Sequence, residues 1–169
     1  IFLEDKKLTH HLSTKVSDHI ILRILREKID KKAAKISIEI DQKYVSEYQS
    51  QNVIGKVVGT EFPDSIIVFS AHYDHLGKMG KDTYFPGAND NASGVAMLLN
   101  LAYHYTHKEP PTKTIVFMAF GAEESGIIGS KYFTENPTFP LSSINFMINV
   151  DIMGTGDEGI QVVNGTEIK

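Results

Sequence analysis

The sequence predicts an α/β fold: a three-layer sandwich in which helices cover both faces of a mixed, mostly parallel central sheet. Continuous apolar segments alternate with helical segments, and strands that are apolar throughout are typical of a sheet buried on both faces. Two earlier segments alternate apolar with polar residues instead, which indicates half-buried strands at an antiparallel edge. A length of 169 residues with 41% hydrophobic residues fits one globular domain.

The first third of the chain is predicted to be a scaffold region. Apolar residues at helical spacing predict a helix over residues 15–32. Alternation predicts strands over 36–41 and 53–58. We therefore expect residues 1–51 to form an N-terminal helix and edge-strand region, and residues 52–165 to form the core of the same domain.

The core region repeats the order strand, helix, strand. Its strands are long apolar runs, which suit the interior of a sheet. Helices are predicted where apolar residues recur every three or four positions. Strands are expected at 66–71, 114–120, 144–150 and 159–163, and helices at 93–106 and 125–134.

Composition excludes several classes of function. The net charge is −4 and the chain lacks long Lys/Arg clusters, which argues against nucleic-acid binding. The absence of cysteine excludes disulfides, thiolate metal sites and a cysteine nucleophile. No apolar run approaches the roughly 20 residues that span a bilayer. The chain begins at Ile1 without an initiator Met or a signal segment, and it ends just after a predicted strand. We expect a piece of a longer protein, truncated on its C-terminal side.

Acidic residues and one histidine follow the ends of three predicted strands. Open α/β sheets bind ligands in the crevice beyond the carboxyl ends of their strands, so these side chains should converge there. The fourth segment is the turn that opens the helix at 93–106, and it carries a further acid. One such acid alone is usually a solvated loop residue, but four segments together indicate a binding site. The residues are His72, Asp74, Asp90, Glu123, Glu124 and Asp151.

The chemistry of these side chains suits a divalent cation. Carboxylates crowded against apolar strand ends repel one another and need a compensating positive charge. Imidazole and oxygen ligands together favour zinc. His72 can bind through one ring nitrogen while Asp74, two residues later, orients the ring. Glu123 and Glu124 offer one ligand and one proton acceptor. His75 either contacts this site or is a loop histidine.

These residues and their order resemble the co-catalytic zinc aminopeptidases, a family that also includes glutamate carboxypeptidases and glutaminyl cyclases. The resemblance covers residues 52–165 and depends on His72-x-Asp74, the Gly-Ala-Asn-Asp-Asn-Ala-Ser-Gly segment at 87–94, Glu123-Glu124 and Asp151. It implies a zinc exopeptidase-like fold, in which residues 1–169 are part of a single zinc-peptidase domain. Residues 52–165 would be its metal-site core.

The resemblance also implies a two-zinc site. His72 and Glu124 would hold one zinc, Asp151 would belong to the second, and Asp90 would bridge both. The family completes the second site with a histidine further downstream, but this sequence has none after His107. We therefore expect the second site to lack that ligand in this chain, which leaves open whether the chain is active alone.

The activity implied by the resemblance is removal of N-terminal residues from peptides by metal-activated water. Glu123 would be the general base, and Asp74 would support catalysis by orienting His72. The expected partner is a peptide with a free N-terminus, and neither nucleic acid nor a membrane span is expected. The resemblance implies export, because most bacterial members are exported. The sequence sets no oligomeric state.

Two other functions remain open at this point. A carboxypeptidase or a glutaminyl cyclase on the same scaffold would differ in pocket residues that this sequence does not identify. A non-catalytic binding module could keep the fold without the chemistry. A module of that kind does not require His72, Asp90, Glu123, Glu124 and Asp151 together, which favours the metallopeptidase.

Overall fold

A computed structural model describes residues 1–8, 11–30, 32–41, 43–108, 110–157 and 159–165. The chain divides into two compact units, Ile1–Gln49 and a second unit that begins at Ser50. Each is treated by itself below. Positions 166–169 of the predicted domain lie outside the described residues.

The first unit contains two short parallel strands, β1 (Phe2–Glu4) and β2 (Arg23–Leu25), and a helical turn over Arg26–Lys28. The helix predicted over residues 15–32 is wrong, since no α-helix occurs among the described residues of that range. Helices in proteins are stabilised mainly by packing of their apolar face. Val16 and Ile20 of that face are 65% and 75% exposed, so the periodic pattern has no surface to pack against.

The strand predicted over residues 36–41 is also wrong, because this range is irregular in the structure. Its apolar side chains, Ile36, Ile38 and Ile40, are exposed. Alternation predicts a strand only where one face is buried and a neighbouring strand accepts its hydrogen bonds. Neither condition is met by this described segment.

The second unit is built on a four-stranded sheet in the order β3-β7-β4-β8. Strand β3 is antiparallel to β7, whereas β4 is parallel to both β7 and β8. The prediction of a mixed, mostly parallel sheet with an antiparallel edge is confirmed. The strands are β3 (Val53–Val57), β4 (Phe62–His72), β7 (Lys113–Phe120) and β8 (Ile144–Asn149), and a separate hairpin pairs β5 (Gly77–Met79) with β6 (Thr83–Phe85).

Two helices cover opposite faces of this sheet, as a three-layer sandwich requires. Helix α1 (Gly94–His107) supplies Leu98 to one core cluster, and α2 (Ile128–Glu135) supplies Phe133 to the other. Successive residues of β4 and β7 alternate between the two clusters, since side chains along a strand point to opposite faces. One cluster contains Ile66, Val68, Val116, Met118 and Phe120, and the other contains Ala71, Ile115, Phe117 and Val150.

The strand predicted over residues 159–163 is wrong, because that segment pairs with no described strand. Its side chains Ile160, Val162 and Val163 are largely exposed, so the apolar run again has no neighbour. No helix in the described ranges is long and apolar enough to cross a membrane.

Met118 is fully buried in the middle of β7, between two packed layers. We expect Met118→Ala to lower the free energy of unfolding by about 2–5 kcal/mol, because it leaves a cavity in a close-packed core. Met79 is exposed on β5, so Met79→Ala should change the free energy of unfolding by less than about 0.5 kcal/mol. Urea unfolding of the two variants measures the difference, and equal effects would contradict this description of the core.

Candidate metal centre

The acidic residues of the sequence analysis meet at the carboxyl edge of the parallel strands. Strand β4 ends at His72, which is 4% exposed. Glu123 and Glu124 follow the end of β7, and Asp151 follows the end of β8. Because β7 and β8 flank β4, their following segments lie on either side of His72.

The first group of possible metal ligands contains His72, Asp90 and Asp151. The Nε2 atom of His72 lies 3.2 Å from Asp90 Oδ1 and 3.5 Å from Asp151 Oδ1. The ligand atoms of the three residues all lie within 4.8 Å of one another. This group has one imidazole and two carboxylates converging on a common point.

The second group contains His75, Asp90 and Glu124, and its ligand atoms meet the same 4.8 Å limit. Asp90 is thus common to both groups, while its predicted bridging role stays a prediction. The predicted pairing of His72 with Glu124 is different in the structure, where His72 is grouped with Asp151. Glu124 Oε1 instead lies 2.7 Å from His75 Nδ1. Sequence reasoning left His75 open; its position three residues after His72 was the available signal.

Asp74 contacts the segment after β7 more closely than it contacts the His72 ring. Its carboxylate accepts hydrogen bonds from the backbone N–H groups of Glu123 (2.9 Å) and Glu124 (3.1 Å). His72 Nδ1 lies 3.1 Å from the backbone carbonyl oxygen of Asp74 and 3.8 Å from its carboxylate. The closer contact of the His72 ring is thus with the Asp74 main chain, and the predicted orientation of His72 by the Asp74 side chain stays a prediction.

The turn that carries Asp90 is fastened to the segment that carries Asp151. The buried side chain of Asn91 donates to the carbonyl of Val150 (3.1 Å). Its Oδ1 accepts from the backbone N–H groups of Gly94 (3.0 Å) and Ile152 (3.3 Å). Sequence analysis did not single out these bonds, because nothing in the order of residues shows which backbone groups an amide will reach.

Asn89 and Ser93 extend the same connection. Ser93 Oγ accepts from the N–H of Met153 (2.8 Å), and Asn89 Oδ1 accepts from the N–H of Gly154 (2.7 Å). Gly94 completes it, because a Cβ there would meet the side chain of Asn91 and lie 2.5 Å from the Val150 carbonyl oxygen. The two ligand-bearing segments are thereby held in a fixed relation.

Glu123 lies beside the two groups without belonging to either. Burial raises the pKa of its carboxyl group above the ordinary value of 4.5, and the negative charges of Glu124, Asp74 and Asp151 raise it further, while His72 opposes them. Glu123 lines a cleft of about 300 Å³ together with His72 and Asp151. Apolar side chains form much of the remaining wall: Phe120, Ile127 and Met147.

The residues present fit zinc. Each group combines one imidazole with two carboxylates, which are common zinc ligands, and three protein ligands leave a fourth position for water in a catalytic zinc site. The buried Nδ1 of His75 has no hydrogen-bond partner among the described residues, although a carboxylate oxygen lies 2.7 Å away. Binding to a cation would give this nitrogen atom a partner.

Comparison with known proteins agrees with this chemistry. Residues 52–169 match the sequence profile of peptidase family M28. The chain belongs to this family. It is 39% identical over 114 residues to aminopeptidase YwaD of Bacillus subtilis, a match that covers 64% of this chain and 23% of YwaD. It is 37% identical over 112 residues to a probable zinc metalloprotease of Pyrenophora teres f. teres, covering 64% of this chain and 23% of that protein.

Solved structures of related enzymes are also similar to this chain. The structure of BSAP, a zinc aminopeptidase from Bacillus subtilis, matches with a TM-score of 0.53 and 34% identity, over 62% of this chain and 24% of BSAP. A glutaminyl cyclase from Bacteroides thetaiotaomicron matches with a TM-score of 0.51 and 26% identity, over 63% of this chain and 42% of the cyclase. The chain thus spans about a quarter of the curated M28 relatives that it matches.

Asn91 offers a direct test of how the M28 site is held together. We expect Asn91→Ala to lower the free energy of unfolding by about 1–3 kcal/mol, because buried backbone groups lose their partners. It should also weaken zinc binding by about 10–100-fold, since the ligand-bearing segments are no longer fixed.

Asn100→Ala is the matched control, because the exposed Asn100 side chain bonds only the carbonyl of Ala96 within its own helix. It should change the free energy of unfolding by less than about 0.5 kcal/mol and leave zinc affinity unchanged. Urea unfolding and zinc titration calorimetry measure both quantities. Equal zinc affinities in the two variants would contradict the positioning role of Asn91.

Proposed function

We propose that this chain carries the catalytic metal centre of a zinc metallo-aminopeptidase, which removes N-terminal residues from peptides with a free N-terminus. One observation carries the proposal: two three-residue ligand groups share Asp90 at the carboxyl edge of the sheet, with Glu123 beside them on a cleft. Membership of M28 and the likeness to the Bacillus subtilis aminopeptidases YwaD and BSAP support the choice of reaction.

In this proposal the ligands divide into two sets around Asp90. His72 and Asp151 would hold one zinc, Glu124 would belong to the other, and Asp90 would contribute to both. When bound, zinc supplies a Lewis acid that makes water a better nucleophile and polarises the scissile carbonyl.

Glu123 is the proposed general base. It is next to the ligand Glu124 but outside both ligand groups, so its carboxylate remains free to accept a proton. It takes a proton from water as the water oxygen bonds to the carbonyl carbon. It then gives that proton to the leaving amine nitrogen as the peptide C–N bond breaks. The apolar wall of the cleft would receive a substrate side chain.

Asp74 is the proposed positioning residue for this base. One carboxylate accepts the N–H groups of both Glu123 and Glu124, so it fixes the backbone of the base and of a ligand together. Charge-assisted bonds of this kind are stronger than those between neutral groups. Asp74 thus acts through Glu123 and Glu124 rather than on the substrate.

A glutaminyl cyclase is the second candidate, favoured by the structural match to the Bacteroides thetaiotaomicron enzyme. A carboxypeptidase or a binding module on this scaffold would keep the same fold. The four possibilities are separated by the substrates on which they act. An aminopeptidase cleaves aminoacyl-nitroanilides, a cyclase releases ammonia from N-terminal glutamine, and a carboxypeptidase cleaves N-acetylated peptides. A binding module does none of these.

We also propose that residues 52–165 form the metal-site core, and that the protein is exported from the cytoplasm. The family match, which begins at residue 52, supports the first statement. The proposed export is based on the family resemblance, since most bacterial members of the family are exported. Cell fractionation with an antibody against this chain tests it, and cytoplasmic retention would contradict it.

The general-base role is tested by Glu123→Gln in the zinc-loaded chain and in any longer form that contains it. Turnover of aminoacyl-nitroanilides should fall by about 10²–10⁴-fold, because the proton acceptor is lost. Zinc content should stay at the wild-type level, since Glu123 is not a ligand. Glu61→Gln, at the opposite end of β4, should leave both unchanged. Undiminished turnover in Glu123→Gln would remove Glu123 from this role.

The role of Asp74 is tested by Asp74→Asn. The amide offers one acceptor oxygen and places an NH₂ group against a backbone N–H, so one of the two bonds is lost. We expect zinc affinity to fall by about 10–100-fold and kcat to fall with it, while KM changes little. Asp64→Asn at the other end of the sheet is the control. A pure loss of thermal stability with wild-type zinc affinity would contradict the assignment.

A further inference from the structure

We infer that Asn52 is a positioning residue for the 121–127 loop, the segment between β7 and α2 that carries Glu123 and Glu124. Its side-chain amide joins the two ends of this loop. The inference rests on the proposed function and deepens it, because it names a group outside both ligand sets that holds the proposed base and one proposed ligand in place.

The topology of the sheet brings Asn52 to the carboxyl edge. Asn52 directly precedes β3, and the antiparallel pairing of β3 with β7 sets Val53 opposite Ala119, close to the end of β7. A strand that is antiparallel to its neighbour begins where that neighbour ends. Strand β3 therefore places the Asn52 amide beside the segment that follows β7.

The Asn52 amide bonds both ends of the loop at once. Its Oδ1 accepts from the backbone N–H of Gly121 (3.2 Å), where the loop begins. Its Nδ2 donates to the carbonyl oxygen of Gly129 (2.8 Å), in the first turn of α2. A Cβ on Gly129 would lie against the Gly121 carbonyl oxygen and 2.5 Å from Asn52 Oδ1. The two ends of the loop are thus in direct contact, and glycine at position 129 leaves the space that the amide occupies.

The loop also contains backbone conformations that need such support. Ala122 and Ile127 have φ of 56° and 60°, in the left-handed region that residues with a Cβ rarely adopt. They lie just inside the two ends of the loop, where the N–H of Ile128 donates to the carbonyl of Ala122 (3.0 Å). Strained conformations persist only where the surrounding contacts hold them. The Asn52 bonds supply such contacts at both ends.

The residues around Asn52 link the loop to the segment after β4. The carbonyl oxygen of Gln51 accepts from the hydroxyl of Tyr73 (2.6 Å), and the N–H of Tyr73 donates to the carbonyl of Phe120 (3.0 Å). Asp74 then bonds two N–H groups within the loop. Asn52 and Asp74 therefore hold different parts of the same loop, its ends and its interior.

The test compares two substitutions that each remove one donor and one acceptor, at opposite ends of β7. Asn52→Leu removes the bonds to the loop. Thr114→Val is the matched control, because Thr114 Oγ1 accepts from the N–H of Gly59 (3.0 Å) and donates to the carbonyl of Pro63 (2.7 Å). Both variants should unfold at a lower temperature, since backbone groups lose their partners. In titration calorimetry with zinc chloride, Asn52→Leu should bind about 10–100-fold more weakly and Thr114→Val as tightly as wild type.

Two further measurements separate positioning from a general loss of stability. In the metal-free chain, the amide ¹H–¹⁵N signals of Glu123 and Glu124 should shift in Asn52→Leu and keep their wild-type positions in Thr114→Val. In the zinc-loaded chain or a longer form that contains it, kcat of Asn52→Leu for aminoacyl-nitroanilides should fall by about 10²-fold with little change in KM, because a misplacement of about 1 Å has that effect. Asn52→Asp keeps the acceptor for Gly121 but loses the donor, and should cause smaller changes of the same kind.

Circular dichroism of the metal-free variants establishes that each is folded. Wild-type zinc affinity with unshifted Glu123 and Glu124 signals in Asn52→Leu would overturn the inference, as would equal changes in Thr114→Val. If Asn52→Leu does not fold, the same results in Asn52→Asp decide the question. A wild-type chain that neither binds zinc nor cleaves nitroanilides in any form would overturn the proposed function. The amide signals of the metal-free chain would still decide the role of Asn52.

Discussion

The geometry of the site depends on Asp90, because both groups of ligands use this one carboxylate. A bridging residue must be placed against two other segments at once. The structure achieves this with side-chain amides: Asn91 bonds the backbone on both sides of Asp151, and Asn89 bonds the N–H of Gly154. The two Asn91 bonds are buried or partly buried, where an unmade partner is costly. The shared carboxylate is therefore positioned by main-chain contacts that do not consume its own oxygens.

Much of the fold from residue 53 to residue 149 follows from local sequence patterns. Strands β4 and β7 are apolar on both faces, and α1 and α2 carry apolar residues at helical spacing, so each segment contains the pattern that its burial requires. The segments at 15–32, 36–41 and 159–163 carry equally clear patterns, but apolar side chains in them such as Val16, Ile38 and Val162 are exposed. The spacing of apolar residues along a segment shows which of its faces would be buried. It does not show whether another element is present to bury it.

The sequence predicted which residues lie at the candidate site, but it did not predict which of them contact one another. Strand ends and the turn at 87–94 identify the residues, because the carboxyl ends of neighbouring parallel strands meet at one edge. The spacing of two between His72 and Asp74 suggested a shared strand face, yet β4 ends at His72, so this periodicity does not extend to Asp74. The loop turns the Asp74 carboxylate toward the N–H groups of Glu123 and Glu124 instead. The course of the loops after β4 and β7 also brings the Glu124 carboxylate against the ring of His75 and not against that of His72.

The charge of the crevice links metal binding to folding. Asp90, Asp151, Glu124 and Glu123 lie close together, and like unit charges about 4 Å apart repel by about 4 kcal/mol at an effective dielectric constant near 20. Because Asp90 belongs to both groups, a cation bound in either group would also reduce the repulsion in the other. The sheet and the Asn91 bonds hold these acids together in the folded chain. A cation bound among them would stabilise the folded chain, because the unfolded chain has no assembled site.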